Sequence, residues 1–142
     1  MAIYSISNRT TGVGCGAAGL EIRTTATERA KILEITITMA AATASIFGIG
    51  RPQAIGVTPT TPVTVIPEDF AEPTGSTQTA LAWGTPPTVP LFFFRRINLP
   101  ATIGAGRVLT FPRGLVIPVS SSLVIWNLAA NGVSDIDIVL DE

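Results

Sequence analysis

The sequence predicts an all-β fold, a jelly-roll-like antiparallel sandwich built by residues 1–142 as a single domain. Three observations predict it. Apolar and polar residues alternate with period two through several stretches rich in β-branched side chains, the mark of half-buried strands. Eleven prolines and thirteen glycines leave no window for an unbroken long helix. Turn signals separate about nine short strands at spacings of roughly 8–12 residues, the rhythm of a sandwich or jelly roll. A small closed barrel is the competing β architecture.

The elements follow in chain order. AIYSIS opens as a strand, and LEIRT follows, with Leu20 and Ile22 alternating with Glu21 and Arg23. TATERAKI is the best helical candidate, but its strand-like neighbours outvote it. Leu33, Ile35, Ile37 and Met39 then alternate with Glu34, Thr36 and Thr38. Further strands are expected at SIFGIG, TALAW, LFFFRRINL, RVLTF, GLVIP, SSLVIWNL and SDIDIVL. Arg51-Pro52, Pro86-Pro87, Gly104-Ala105-Gly106, Pro112-Arg113-Gly114 and Asn131-Gly132 supply the turns between them.

Gly14 to Gly19, GCGAAG, matches the dinucleotide fingerprint G-x-G-x-x-G, with Glu34 twenty residues past its first glycine. The fingerprint requires a helix whose N-terminus receives the pyrophosphate. Here strand-patterned residues follow, and Glu34 falls inside a later strand. The glycines are therefore read as a loop, and no nucleotide or other cofactor is expected.

Composition narrows the function. The chain is 46% hydrophobic and only 13% charged, with a net charge of −1. So little charge leaves apolar surface to be covered by association. Balanced charge offers no field to draw in nucleic acid or an anionic membrane. No stretch reaches the ~18 apolar residues of a spanning helix, and MAIYSISNRTTG does not read as a secretory signal. Cys15 is the one cysteine and histidine is absent. A lone thiol suits a reducing cytoplasm. Without histidine, serine and cysteine lack their usual general base, and metals lack their commonest ligand. Asp135 and Asp137 share one strand face, but beside Ile136, Ile138 and Leu140 they read as the solvated face of an edge strand rather than as a metal or glycosidase site.

Two stretches point to contacts instead. Three consecutive phenylalanines on one strand cannot all face one core, so Phe92, Phe93 and Phe94, with Arg95 and Arg96, are expected at a subunit interface. Trp83 and Trp126 are assigned to the core. From about residue 57 to 78 the chain is rich in proline and threonine, favouring an extended path. This arm is expected to embrace a partner through Val57, Pro59, Pro62, Val65, Pro67 and Phe70.

RVLTFPRGLVIPVSSSLVIWNLAANGVSDIDIVLDE resembles the closing strands of trimeric jelly-roll proteins of the tumour-necrosis-factor and C1q type. The whole chain, including ALAWGTPPTVP and FFRRINLPATIGAG, is similar to short proteins from the structural modules of tailed bacteriophages. The resemblance implies a homotrimeric capsid decoration, or cement, subunit without enzymatic activity. Its implied partners are further copies of itself and the major capsid protein. It would be assembled in the host cytoplasm and sit on the virion's capsid surface. The alternative is a receptor- or carbohydrate-binding head of a tail fibre, with a hydrolase third.

Overall fold

The period-two stretches form strands, except that TALAW is divided, Ala80 ending one strand and Trp83 opening the next. The computed structural model describes residues 2–12, 16–129 and 131–142, and thirteen strands but no helix occur among them. They are β1 (Ile3–Thr10), β2 (Ala17–Arg23), β3 (Ala30–Met39), β4 (Ser45–Pro52), β5 (Val57–Pro59), β6 (Pro62–Val63) and β7 (Ile66–Pro67). The rest are β8 (Gln78–Ala80), β9 (Trp83–Thr85), β10 (Pro90–Leu99), β11 (Gly106–Ile117), β12 (Ser122–Asn127) and β13 (Ser134–Asp141). Gly14 and Cys15, the start of the glycine stretch, lie outside the described residues. Gly19 lies within β2, so a strand stands where a nucleotide site needs a helix. In the helical candidate TATERAKI, the Thr25 hydroxyl accepts the Glu28 amide at 3.1 Å, a turn that feeds directly into β3.

The strands assemble into two antiparallel sheets, β11-β3-β13-β1-β7 and β10-β4-β12-β2-β8-β6, with β5 and β9 as a separate ribbon. Among the eight long strands the order is β11-β3-β13-β1 over β10-β4-β12-β2. The chain changes sheet at every connection between them except β4 to β10, which is the winding of a jelly roll. Ile6, Ile35, Ile37, Ile136 and Ile138 from the first sheet meet Leu20, Ile22, Phe47, Ile49, Ile97 and Ile125 from the second. Each fully buried aliphatic side chain contributes about 1.5–3 kcal/mol by leaving water.

Several sequence expectations change in detail. RVLTF and GLVIP form one strand, β11, because Pro112-Arg113-Gly114 is absorbed as a bulge where pairing to β3 skips from Thr110 to Leu115. β13 is not an edge strand: it pairs with β1 on one side and β3 on the other. The proline-rich segment is not a free arm. Its residues pair in short steps, Val57 and Pro59 with β9, Pro62 with β8, and Pro67 with Tyr4 of β1. Val65, expected to touch a partner, is 3% exposed and belongs to the chain's own core. Its short apolar side chain drops between the sheets as the segment crosses from one to the other.

The β5–β9 ribbon forms a third layer over the outer face of the second sheet. Glu21 anchors it, although its place between Leu20 and Ile22 puts it on the face that normally meets water. Its carboxylate is 0% exposed. It accepts the Trp83 indole N–H at 2.7 Å and the Gly56 amide at 3.0 Å, and stands 3.7 Å from the Arg23 guanidinium. Arg23 in turn donates to the Gly56 carbonyl. Gly56 has no alternative here, since a Cβ would lie 2.4 Å from the Trp83 ring and 2.7 Å from the carboxylate.

Breaking one partner of a buried pair leaves the other uncompensated, at a cost of roughly 3–5 kcal/mol. Glu21→Leu should therefore lower unfolding stability by about that amount in chemical denaturation. Glu21→Gln, which keeps an acceptor for Trp83, should cost less. Equal stability of wild type and Glu21→Leu would contradict the anchoring role.

Candidate functional site

Two long strands, β10 and β11, are the outer strands of their sheets and share one side of the sandwich. Bulges between Pro90 and Phe93 and between Phe93 and Arg95 break the alternation of β10. A bulge re-aims the side chains around it. In consequence Phe92 and Phe94 both face solvent, Phe92 at 82% exposure, while Phe93 turns onto the sheet.

Phe93 lies flat on β4. A Cβ at Gly48 would sit 2.5 Å from the ring, so the glycine of FGIG makes its bed. The ring joins Trp126, Val124 and Ala18 in a cluster on the outer face of the second sheet, with the half-buried Trp83 against it. Part of the cover of Phe93 therefore comes from its own chain, which leaves the ring half-buried. Trp126 is buried, as expected, but in this outer cluster rather than between the sheets.

Arginines lace the side together. Arg96 lies over the Phe93 ring at 5.2 Å and Arg51 over Phe94 at 5.5 Å. Arg95 reaches across to the first sheet, 5.8 Å from the Phe111 ring, and Arg51 donates to the Val116 carbonyl at 2.7 Å. Exposed cation–π contacts contribute about 0.5–1 kcal/mol each. Their main effect here is to hold phenylalanine and arginine side chains in fixed array. Arg51, Pro52, Gln53, Leu91, Phe92 and Phe94 line an open recess of about 320 Å³. A second recess, of about 380 Å³, lies beside Arg95 along the β11 bulge.

The far side is built differently. β7 and the segment after it carry Glu68, Asp69 and Glu72 around Phe70, whose side chain is 92% exposed. The segment is tied down at both ends. Glu68 donates its amide to the Ile3 carbonyl and accepts the Ser5 hydroxyl at 2.6 Å. At its other end Glu142 accepts the amides of Ser76 and Thr77 at 2.7 and 3.1 Å, and the Ser76 hydroxyl. Burial pushes the Glu142 carboxyl up, but these hydrogen bonds outweigh it and hold the group below its ordinary value of 4.5.

The sequence-expected contact residues thus divide three ways. Phe92, Phe94, Arg95 and Arg96 share one exposed edge, and Val57 and Phe70 are exposed elsewhere. Pro59 is a strand residue of the β5–β9 ribbon, and Pro62 and Pro67 are strand residues of the two sandwich sheets. Val65 is core. Arg51 and Phe111, which sequence reasoning passed over, complete the arginine edge; their signal is weak, because each is distant in sequence from the phenylalanines it joins. Asp135 is engaged by Arg9 through two bonds of 2.7 and 2.9 Å, and that hydrogen bonding keeps its carboxyl below the ordinary range. Asp137 accepts the Ser7 hydroxyl.

No family model matches this chain, and comparison with curated proteins and with solved structures finds no match.

The two faces of β10 separate folding from surface. Phe93→Ala should cost roughly 1–3 kcal/mol, less than the ~3–5 kcal/mol of a fully buried phenylalanine. Phe92→Ala should stay within about 0.5 kcal/mol, as exposed substitutions usually do. Urea titration of both variants checks this; equal costs would contradict the assignment.

A carboxyl with a depressed folded pKa contributes stability that is present above its unfolded value and lost as pH falls through the lower folded one. The Glu142 clamp should therefore be intact at neutral pH and release below about pH 4.5. Amide exchange at Ser76 and Thr77, measured relative to β13, should accelerate there in wild type. In Glu142→Gln the acceleration should be absent; identical pH profiles would count against the clamp.

Proposed function

We propose that this protein is a virion structural subunit that decorates a phage capsid, binding the major capsid protein lattice and stabilising the head without catalysing a reaction. The observation that carries the reading is the exposed edge of Leu91, Phe92 and Phe94, set among arginines on a jelly roll whose core is otherwise complete. Aromatic and arginine side chains are enriched at interface cores. Exposed apolar surface of this kind, in a weakly charged chain, suits a protein whose work is adhesion. The likeness of its closing strands to trimeric jelly rolls supports a homotrimer as the working unit.

Decoration needs no reactive group. Many equivalent sites on a lattice convert modest individual contacts into avidity. A subunit that binds only the assembled shell stabilises it by mass action, so the gain rises with added protein and saturates.

A second reading has its own observation. Trp83, Pro86, Pro87 and Trp126 help line a cleft of about 390 Å³, and a tryptophan–proline wall suits the apolar face of a sugar. That arrangement favours the head of a tail fibre.

Purified protein added to shells that lack it should bind them and raise their thermal disruption temperature saturably. Phe92→Ser with Phe94→Ser should weaken attachment at least tenfold. Localisation at the tail tip, or glycan binding with no effect on shells, would favour the second reading and overturn the first.

A further inference from the structure

Charge is segregated along this chain. No lysine or arginine occurs between Arg51 and Arg95, and no aspartate or glutamate between Glu72 and Asp135. The fold turns that one-dimensional pattern into two opposite sides. β10 and β11 end their sheets on one side and carry Arg95, Arg96, Arg107 and Arg113 without an acid, with Arg51 of β4 beside them. On the neighbouring strand β3, Glu34 stands opposite Thr110 of β11. β7 and β6 end the same sheets on the other side, where Glu68, Asp69 and Glu72 stand without a base.

Apolar groups sit at the centre of both charged sides. The arginine side has the open recess of Leu91, Phe92 and Phe94. The acidic side has Phe70, almost wholly in solvent, with the exposed Ile66 near it. Phe70 is held out by short local bonds: the Asp69 carboxylate accepts the Ala71 amide at 2.9 Å, and the Glu72 amide donates to the Asp69 carbonyl at 3.0 Å. One side presents a projecting aromatic ring with an acidic rim. The other presents an aromatic recess with a basic rim.

We propose that copies of this chain associate head to tail, Phe70 of one copy seating in the Arg51–Phe92–Phe94 recess of the next. Glu68, Asp69 and Glu72 of the first copy then face Arg95 and Arg96 of the second. An anchor ring in a pocket, surrounded by complementary charge, is the usual form of a protein hot spot. The contact is heterologous, because two arginine sides meeting would oppose like charges. Such contacts close into rings when the rotation between copies allows it and otherwise continue as open chains. The inference rests on the function proposed above and assigns its Phe92–Phe94 edge to the contact between copies, which builds the multivalent unit that would attach by avidity; it requires no capsid.

Sedimentation velocity across a concentration series tests it, with circular dichroism confirming each variant's fold. Wild type should self-associate, and less so as salt rises, since exposed charge pairs are screened. Phe70→Ser leaves the fold intact, because the ring packs against little, and should weaken association at least tenfold. Arg95→Glu with Arg96→Glu, and separately Asp69→Arg with Glu72→Arg, should each do the same. Combining both reversals in one chain should restore association.

A wild type monomeric at every concentration would overturn the proposal. So would unchanged association in Phe70→Ser or in the acidic-side reversal, the result expected if arginine sides paired with each other. Failure of the combined chain to associate would overturn it as well. The two proposals fail separately: an associating protein that ignores shells defeats only decoration, and shell binding by single subunits defeats only the head-to-tail contact.

Discussion

The buried carboxylate of Glu21 determines what surface this protein has to offer. A charge with no exposed area is tolerated only where donors surround it. Here the donors come from the β5–β9 ribbon, through Gly56 and Trp83, and from Arg23. Satisfying Glu21 therefore requires the ribbon to lie over the outer face of the second sheet. That face, with Val124 and Ala18 on it, is otherwise apolar. Once it is covered, the exposed aromatic surface is concentrated at the sides of the sandwich.

Those sides are where a jelly roll is most vulnerable. An outer strand leaves backbone groups free to pair with another chain. β10 and β11 limit that hazard with bulges and arginines, which break the flat run of backbone without removing the apolar surface. Phe93 is diverted onto Gly48, while Phe92 and Phe94 remain outside. The result discourages indiscriminate strand addition and leaves side-chain recognition available. On the far side Glu68 and Glu142 fasten the segment that carries Phe70, so that ring too is presented from a tethered base.

The strand plan was legible because alternation is a local property. Ile35 and Ile37, or Ile136 and Ile138, announce a buried face with no knowledge of the partner strand. Glu21 was not legible: flanked by Leu20 and Ile22, it reads as the wet side of a strand, and its partners lie 35 and 62 residues away. Val65 failed for a related reason. The Thr-Pro spacing around it correctly implied an extended path, but extended chain can lie against its own sandwich as well as against a partner. The phenylalanine edge was visible in outline, since three successive rings cannot share one face. Which ring turned inward depended on two bulges and on a glycine in β4. A net charge near zero concealed the most informative pattern, because the bases and acids balance in number while occupying opposite sides.

The central claim is that the two sides of the sandwich recognise each other. Hydrogen exchange followed by mass spectrometry over a range of protein concentrations reads this on the unmodified chain. As concentration rises, amides in the segment around Phe70 and amides around Phe92–Phe94 should gain protection together, with β12 and β13 unchanged. Protection confined to β10 and β11, with the Phe70 segment exchanging as before, would contradict the account.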